Sequence, residues 1–315
     1  MWIRSREQEV RARHDEALAL LDAGDLDGAK RIAHELRALG WSGAFEVLAL
    51  AMRAERDLAG AVQILDEGCA LAPASFGLHE LRGSMLDALG EHARAIEAYD
   101  RALECEGAWT ASIHYNRSIT RLRIGDAGGA LVDAEQVLSG AVPPPFAIDA
   151  VRVAIDALDR LGRHEDAVSL VRTVLAETER DGAIAGRLKP MLALTLSRAG
   201  DVERARAAAL DAIEDGHGNA ELASLMPPPR HDERAPQRWR LVVEGAWPSD
   251  PKVGGFYRVV SVLAADEDEA LAWARLLEPA GLRAVLRVHE ITRDDGAASG
   301  EVTRGVVGAS GRVFF

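Results

Sequence analysis

Apolar residues recur at three- and four-residue intervals through most of the chain, the spacing that lines one face of an α-helix. Ala95, Ile96, Tyr99, Ala102 and Leu103 show it plainly, and the pattern runs from about residue 10 to about residue 215. From residue 238 the period shortens toward two. Residues 238–244 (RWRLVVE) and 256–264 (FYRVVSVLA) predict two strands. Asp266 and Glu269 then form a D-x-x-E box that opens a helix. Ala270, Trp273, Ala274 and Leu277 give that helix one apolar face, and Pro279 closes it. Residues 282–291 (LRAVLRVHEI) predict a third strand, and 302–307 with 312–315 a fourth or a short hairpin. The predicted fold class is mainly α: helical pairs over 1–224, a Pro- and charge-rich linker over 225–237, and a small α+β domain of order ββαβ over 238–315.

A finer regularity lies inside the helical part. A Gly is followed five residues later by an Ala at Gly24/Ala29, Gly90/Ala95, Gly125/Ala130, Gly162/Ala167 and Gly200/Ala205, and Arg56/Ala61 is a sixth copy with Arg in the Gly place. The period of about 34 residues fits a unit of two helices. Gly ends a helix in the left-handed conformation, Asp, Glu or Arg follows it, with Asp suited to cap the next helix, and the small Ala lets two helices approach. Gly83, Gly90, Ala95, Tyr99 and Ala102 in the third copy, and YNRSITRLRIGDAGGALVDAEQVL (115–138) in the fourth, resemble the tetratricopeptide repeat family. The resemblance covers about two thirds of the chain. It implies an α-solenoid of about six helix pairs, wound as a right-handed superhelix, in which the first helix of each pair lines a concave groove that binds proteins. The prolines of SGAVPPPFA (139–147) predict a longer loop between copies four and five. The joint between the second strand and its helix, AADEDEA, is similar to joints in ferredoxin-like small domains.

Charge narrows the partners. The formal net charge is −13; the first 216 residues hold 36 acids and 25 bases, and the remainder 14 and 12. Phosphate backbones need clustered positive charge, so nucleic acid is excluded and a basic protein surface or peptide is expected. No apolar run reaches the ~18 residues of a membrane span. The N-terminus is charged and carries no apolar core of a signal peptide. Cys69 and Cys105 lack metal or redox spacing and read as small packing residues in a reducing cytoplasm. Three lysines beside abundant Arg and Ala read as codon bias.

No nucleotide, metal or nucleophile motif is present, so neither a cofactor nor an enzymatic role is expected. PKVGGF (251–256) reads as a hairpin rather than a phosphate loop. His79 and His114 occupy equivalent places in neighbouring copies and read as packing residues. Glu177, Glu179, Asp211, Glu214 and Asp215 read as solvated helix faces. The last residues, RVFF, offer an edge strand for self-association.

Carried over position by position, the family pattern puts Glu46, Leu50 and Arg53 in the groove from copy two, and Glu80, Ser84 and Asp87 from copy three. Copy four supplies Ser112, Tyr115, Asn116, Ile119 and Arg123, and copy five Asp149, Arg152, Asp156 and Asp159. Chaperone-binding members clamp a peptide's terminal carboxylate with Lys and Asn. Asn116 matches one such Asn, but Glu46, Glu80 and Arg152 stand where lysines are needed, so the resemblance does not extend to the clamp. Tyr115, Asn116 and Arg152 are the candidate polar anchor. The sequence thus reads as a bacterial cytoplasmic adaptor without cofactor. The alternatives are an immunity protein or antitoxin that neutralises a basic toxin, and a non-catalytic or substrate-presenting subunit of an enzyme complex, or an enzyme that uses the C-terminal sheet.

Overall fold

The computed structural model describes residues 2–140, 143–178, 182–228, 236–245, 255–283, 285–294, 305–310 and 312–314. Twelve helices come first: α1 (Trp2–Asp22) packs with α2 (Leu26–Ala38), α3 (Gly43–Ala54) with α4 (Leu58–Leu71), α5 (Phe76–Ala88) with α6 (His92–Glu104), and α7 (Thr110–Arg123) with α8 (Ala127–Ser139); α9 (Pro144–Arg160) and α10 (His164–Glu177) follow, and α11 (Gly182–Arg198) packs with α12 (Val202–Glu214). The chain divides into two compact units, Met1–Leu161 and Gly162–Phe315. Among the described residues no helix is long and apolar enough to cross a membrane.

The repeated Gly is the residue that ends the first helix of each pair. Gly24, Gly90, Gly125, Gly162 and Gly200 all have φ between +71° and +83°, and Arg56, at the same place, has φ +66°. Where the turn is clearest, the next backbone N–H bonds back to a carbonyl one turn inside the helix, as Asp25 to Leu20, Asp57 to Met52, Glu91 to Leu86 and Asp126 to Arg121. This is the Schellman closure, which satisfies carbonyls the helix leaves open. The carboxylates of Asp25, Asp57, Asp126 and Asp201 then cap α2, α4, α8 and α12 by accepting from the N–H three residues on. The alanine five residues after each turn is buried: Ala29, Ala61, Ala95, Ala130, Ala167 and Ala205 are at most 1% exposed.

The prolines at 143–145 do not lengthen a loop. Pro143 is the N-cap of α9, and Pro144 and Pro145 open its first turn. Their missing N–H groups would have had no partner there in any case, and their fixed φ suits the helix start.

In the second unit the short helix α13 (Ala220–Ser224) follows α12, and a sheet follows it. Its strands are β1 (Gln237–Gly245), β2 (Phe256–Ala264), β3 (Arg287–Asp294), β4 (Gly305–Ala309) and β5 (Val313–Phe314). The order is β3-β1-β2-β4, every pair is antiparallel, and β5 pairs with β2 at Phe256 and Tyr257. β2 and β3 therefore run parallel with β1 between them, and α14 (Glu267–Leu276) makes the crossover. Asp266 caps α14 by accepting from Glu269 N, as the capping box anticipates, while Glu269 Oε2 accepts from Ala265 N at 2.7 Å, one residue before the N-cap that the box would close on. The third strand begins later than expected. Pro279 is followed by one helical turn, α15 (Ala280–Arg283), which buries Leu282 under the sheet, so an apolar run that reads as a strand is partly a turn. The terminal strand is paired in its own sheet. The segment 246–254, with most of PKVGGF, lies outside the described residues.

The sheet and the last helices share a buried polar joint. Glu278, fully buried, accepts from Arg258 at 2.8 Å and from Arg312 at 2.6 and 3.0 Å. Arg258, on β2, also donates to the carbonyls of Gly218 and Ser310, and Arg312 donates to Gly216 O at 2.9 Å. Both guanidinium groups thereby meet carbonyls just beyond the C-terminal end of α12, where the helix dipole favours positive charge. A Cβ on Gly218 would lie 1.9 Å from Leu277 O, so only glycine permits this approach. Glu214, expected as a solvated face, accepts from Ala280 N at 2.9 Å and from Arg283 at 3.2 Å; Asp211 bonds Lys189 at 2.9 Å, and Asp215 also pairs with it.

Two outcomes test this account. Arg56→Gly relieves a left-handed side chain and should raise stability by about 1 kcal/mol, while Gly90→Ala should lower it by about the same; thermal unfolding followed by circular dichroism reads both. Glu278→Ala leaves Arg258 buried without its charge partner and should cost about 3–5 kcal/mol. Urea unfolding followed by tryptophan fluorescence, with Trp273 buried in the sheet core, measures it.

Candidate functional site

The odd-numbered helices lie against one another through the first unit, α1 on α3, α3 on α5, α5 on α7 and α7 on α9. Most of the residues expected to form a binding face stand along this line. Between α5 and α7 the structure joins them in pairs. Glu80 Oε1 accepts from Asn116 Nδ2 at 3.2 Å and from the Ser112 hydroxyl at 2.7 Å. Asp87 accepts from Arg123 and bonds His92 Nδ1 at 2.9 Å. The intervals of 36 residues in Glu80–Asn116 and Asp87–Arg123 match one repeat, so the pattern that packs the helices also pairs these side chains.

The other expected residues stand apart from this cluster. Arg152 is exposed and bonds Asp149 at 3.1 Å, one turn back on α9, so it does not join Tyr115 and Asn116 in one anchor. Asp156 receives a two-pronged bond from Arg160 at 3.0 and 3.1 Å, and Arg160 reaches across to Leu122 O at 2.5 Å. Glu46 is half-buried on α3. Arg53 is exposed and lines, with Leu18, Leu21, Asp22, Leu26, Leu50 and Ala54, a pocket of about 340 Å³.

Tyr115 has company that the sequence did not announce. It tilts onto Phe146 with ring centroids 5.0 Å apart, and Trp109 stacks on the same ring at 5.8 Å and 27°. Trp109 was missed because it precedes α7 as its N-cap, and Phe146 because, in the first turn of α9, it reads as one more apolar packing position. The available signal was their spacing: they are 37 residues apart, as are Ala130 and Ala167.

A buried charge network fixes α7 behind this surface. Asp133, on α8 and fully buried, accepts from His114 Nδ1 at 2.8 Å, Arg117 Nε at 2.9 Å and Arg121 at 2.8 Å. Arg117 also bonds Asp100 on α6. Burial alone would lower the Arg117 pKa, but its bonds to Asp133 and Asp100 raise it above the ordinary arginine value. His79, the counterpart of His114, instead faces Pro73 O at 3.0 Å, so the two histidines have separate structural partners. Gly83 lets α5 close on Tyr99, whose ring a Cβ there would meet at 2.6 Å. Burial pushes the Cys69 thiol up to about 11, which keeps it protonated near neutrality. Among the described residues no group of three or more His, Cys, Asp or Glu is placed to hold a metal ion.

No protein-family model matches this chain, and no curated protein sequence does. Solved structures do. A tetratricopeptide repeat protein from Parabacteroides merdae superposes with a TM-score of 0.50 at 17% identity, covering 69% of this chain and 84% of that one. The fold is the tetratricopeptide repeat. PilW, described as a widely conserved type IV pilus biogenesis factor, matches with a TM-score of 0.50 at 17% identity over 65% of this chain and 93% of its own. The pilF protein of Pseudomonas aeruginosa matches with 0.51 at 15% over 66% and 91%. At these identities the likeness is one of fold.

Asp133→Ala would leave two arginines and a histidine around an empty site. A loss of about 3–5 kcal/mol is expected, read as a shift of the urea midpoint, whereas Asp156→Ala, which removes an exposed pair, should cost under about 1 kcal/mol.

Proposed function

We propose that this chain is a cytoplasmic protein-interaction adaptor whose odd-numbered helices present the binding face, and that its partner is an extended or helical protein segment with a basic surface. Arrays of the tetratricopeptide fold generally mediate protein–protein contacts. The observation that carries the reading here is the line of half-buried polar groups between α5 and α7. Glu80, Ser112, Asn116, Asp87 and Arg123 are ordered by bonds to one another yet remain at the surface. Such a face is preorganised, so a partner meets fixed hydrogen-bonding groups and little side-chain entropy is lost on binding. The charge excess over the helical part, 36 acids against 25 bases, favours and steers a basic partner. Cys69 and Cys105 are unpaired, in keeping with a reducing compartment.

Site-specific photo-crosslinking in the native host tests the face. A crosslinker at Ser84 or Ile119 on the odd helices should capture a partner, and one at Glu97 or Arg101, exposed on α6, should not. Capture from α6 with none from Ser84 or Ile119 would place the binding face elsewhere.

A further inference from the structure

Trp109 breaks two local rules at once. It is the N-cap residue of α7, where Ser, Thr, Asp or Asn would satisfy a free backbone N–H, and its side chain caps nothing. It is also a large apolar ring left 56% exposed, against the hydrophobic effect. Local rules broken in this way are a mark of function. Phe146 stands one repeat further on and Tyr115 further along α7, and the three rings make a half-open platform on two helices, with Trp109 on Phe146 at 5.8 Å and Tyr115 on Phe146 at 5.0 Å.

A carboxylate is tied to the same stretch of α7 that carries Trp109 and Tyr115. The Ser112 hydroxyl donates to Glu80 Oε1 at 2.7 Å, with the Trp109 carbonyl 3.2 Å away, and Asn116 donates to the same oxygen. Both bonds end on Oε1, so the carboxylate is held in one orientation. Aromatic faces attract cations through the ring quadrupole. A guanidinium does so best beside a carboxylate, because it is planar, weakly hydrated and always charged. The chain makes the same contact internally, with Arg37 5.4 Å from the Phe45 ring and Arg312 5.3 Å from Phe256.

We propose that Trp109, Tyr115 and Phe146, together with Glu80, form an anchor for an arginine side chain on the partner segment. This rests on the reading of the odd-helix face as the binding face. The planar guanidinium lies over the rings and its N–H groups reach the carboxylate; a lysine ammonium gains the charge contact without the stacking, and an acidic side chain is repelled.

Calorimetric titration of the full chain with a blocked Gly/Ser nonapeptide carrying arginines at alternate positions tests the anchor. Its citrulline counterpart keeps the shape and removes the charge. Binding of the arginine peptide and at least tenfold weaker binding of the citrulline peptide are expected. Trp109→Ser removes the ring while supplying a capping hydroxyl, so the fold is retained, and it should weaken the arginine peptide about tenfold. Glu80→Gln keeps the size and should do the same, and Glu97→Gln, on α6, should change nothing. Equal affinity for both peptides, no binding of either, or an unchanged Kd in Trp109→Ser would overturn the proposal. So would an equal loss in Glu97→Gln, which would show diffuse charge attraction, or a change of sedimentation in Trp109→Ser, which would make the rings a contact between copies. If crosslinks from Ile119 persist undiminished in Trp109→Ser, the anchor falls and the binding face stands. If they arise from α6 instead, both fall.

Discussion

Everything in the helical part depends on one backbone conformation, the left-handed residue that ends the first helix of each pair. It turns the chain back within two residues, closes the open carbonyls, and leaves the next residue positioned to cap the following helix. Only then can an alanine five residues on press against its neighbour at no more than 1% exposure. Because the turn is local, the distance between copies can vary. The alanines are 32 to 38 residues apart, and a left-handed residue stands five positions before each. Arg56 shows how strong the constraint is: a side chain is forced into φ +66° rather than the turn being lost.

On this frame the polar groups do two different kinds of work. Asp133 lies at zero exposure with His114, Arg117 and Arg121 around it, and that charge is affordable only because every lone pair is met. It sets how α7 sits on α8. The bonds of Glu80 and Asp87 are shallower. They contribute little to stability but hold a surface in one arrangement, which is what recognition requires.

How much of this was legible follows the range of the interactions. The turns, the buried alanines, β1, β2 and the Asp266–Glu269 box are written within five residues of sequence, and the structure follows them. Pro143–Pro145 misled because proline is hostile inside a helix but suited to its first turn, and only the boundary distinguishes the two. Leu282 misled because one buried turn and a strand start look alike in a short apolar run. The pairings between α5 and α7 were visible as positions but not as pairs. Glu80 with Asn116 and Asp87 with Arg123 meet only once α5 and α7 are stacked. The aromatic edge and the Arg258–Glu278–Arg312 joint carry no local signal at all, since their members come from distant segments.

That joint has a consequence for how such a chain can be assembled from parts. Glu278 is neutralised by arginines of the sheet, and those arginines spend their remaining donors on the peptide groups after α12. Each side would carry a stranded charge or bare carbonyls without the other. A gene-fusion event that grafted this sheet onto a different helical array would have to bring α12, Gly216 and Gly218 along with it. A cut between α12 and the sheet would therefore part Arg258 and Arg312 from the carbonyls of Gly216 and Gly218 on which they close.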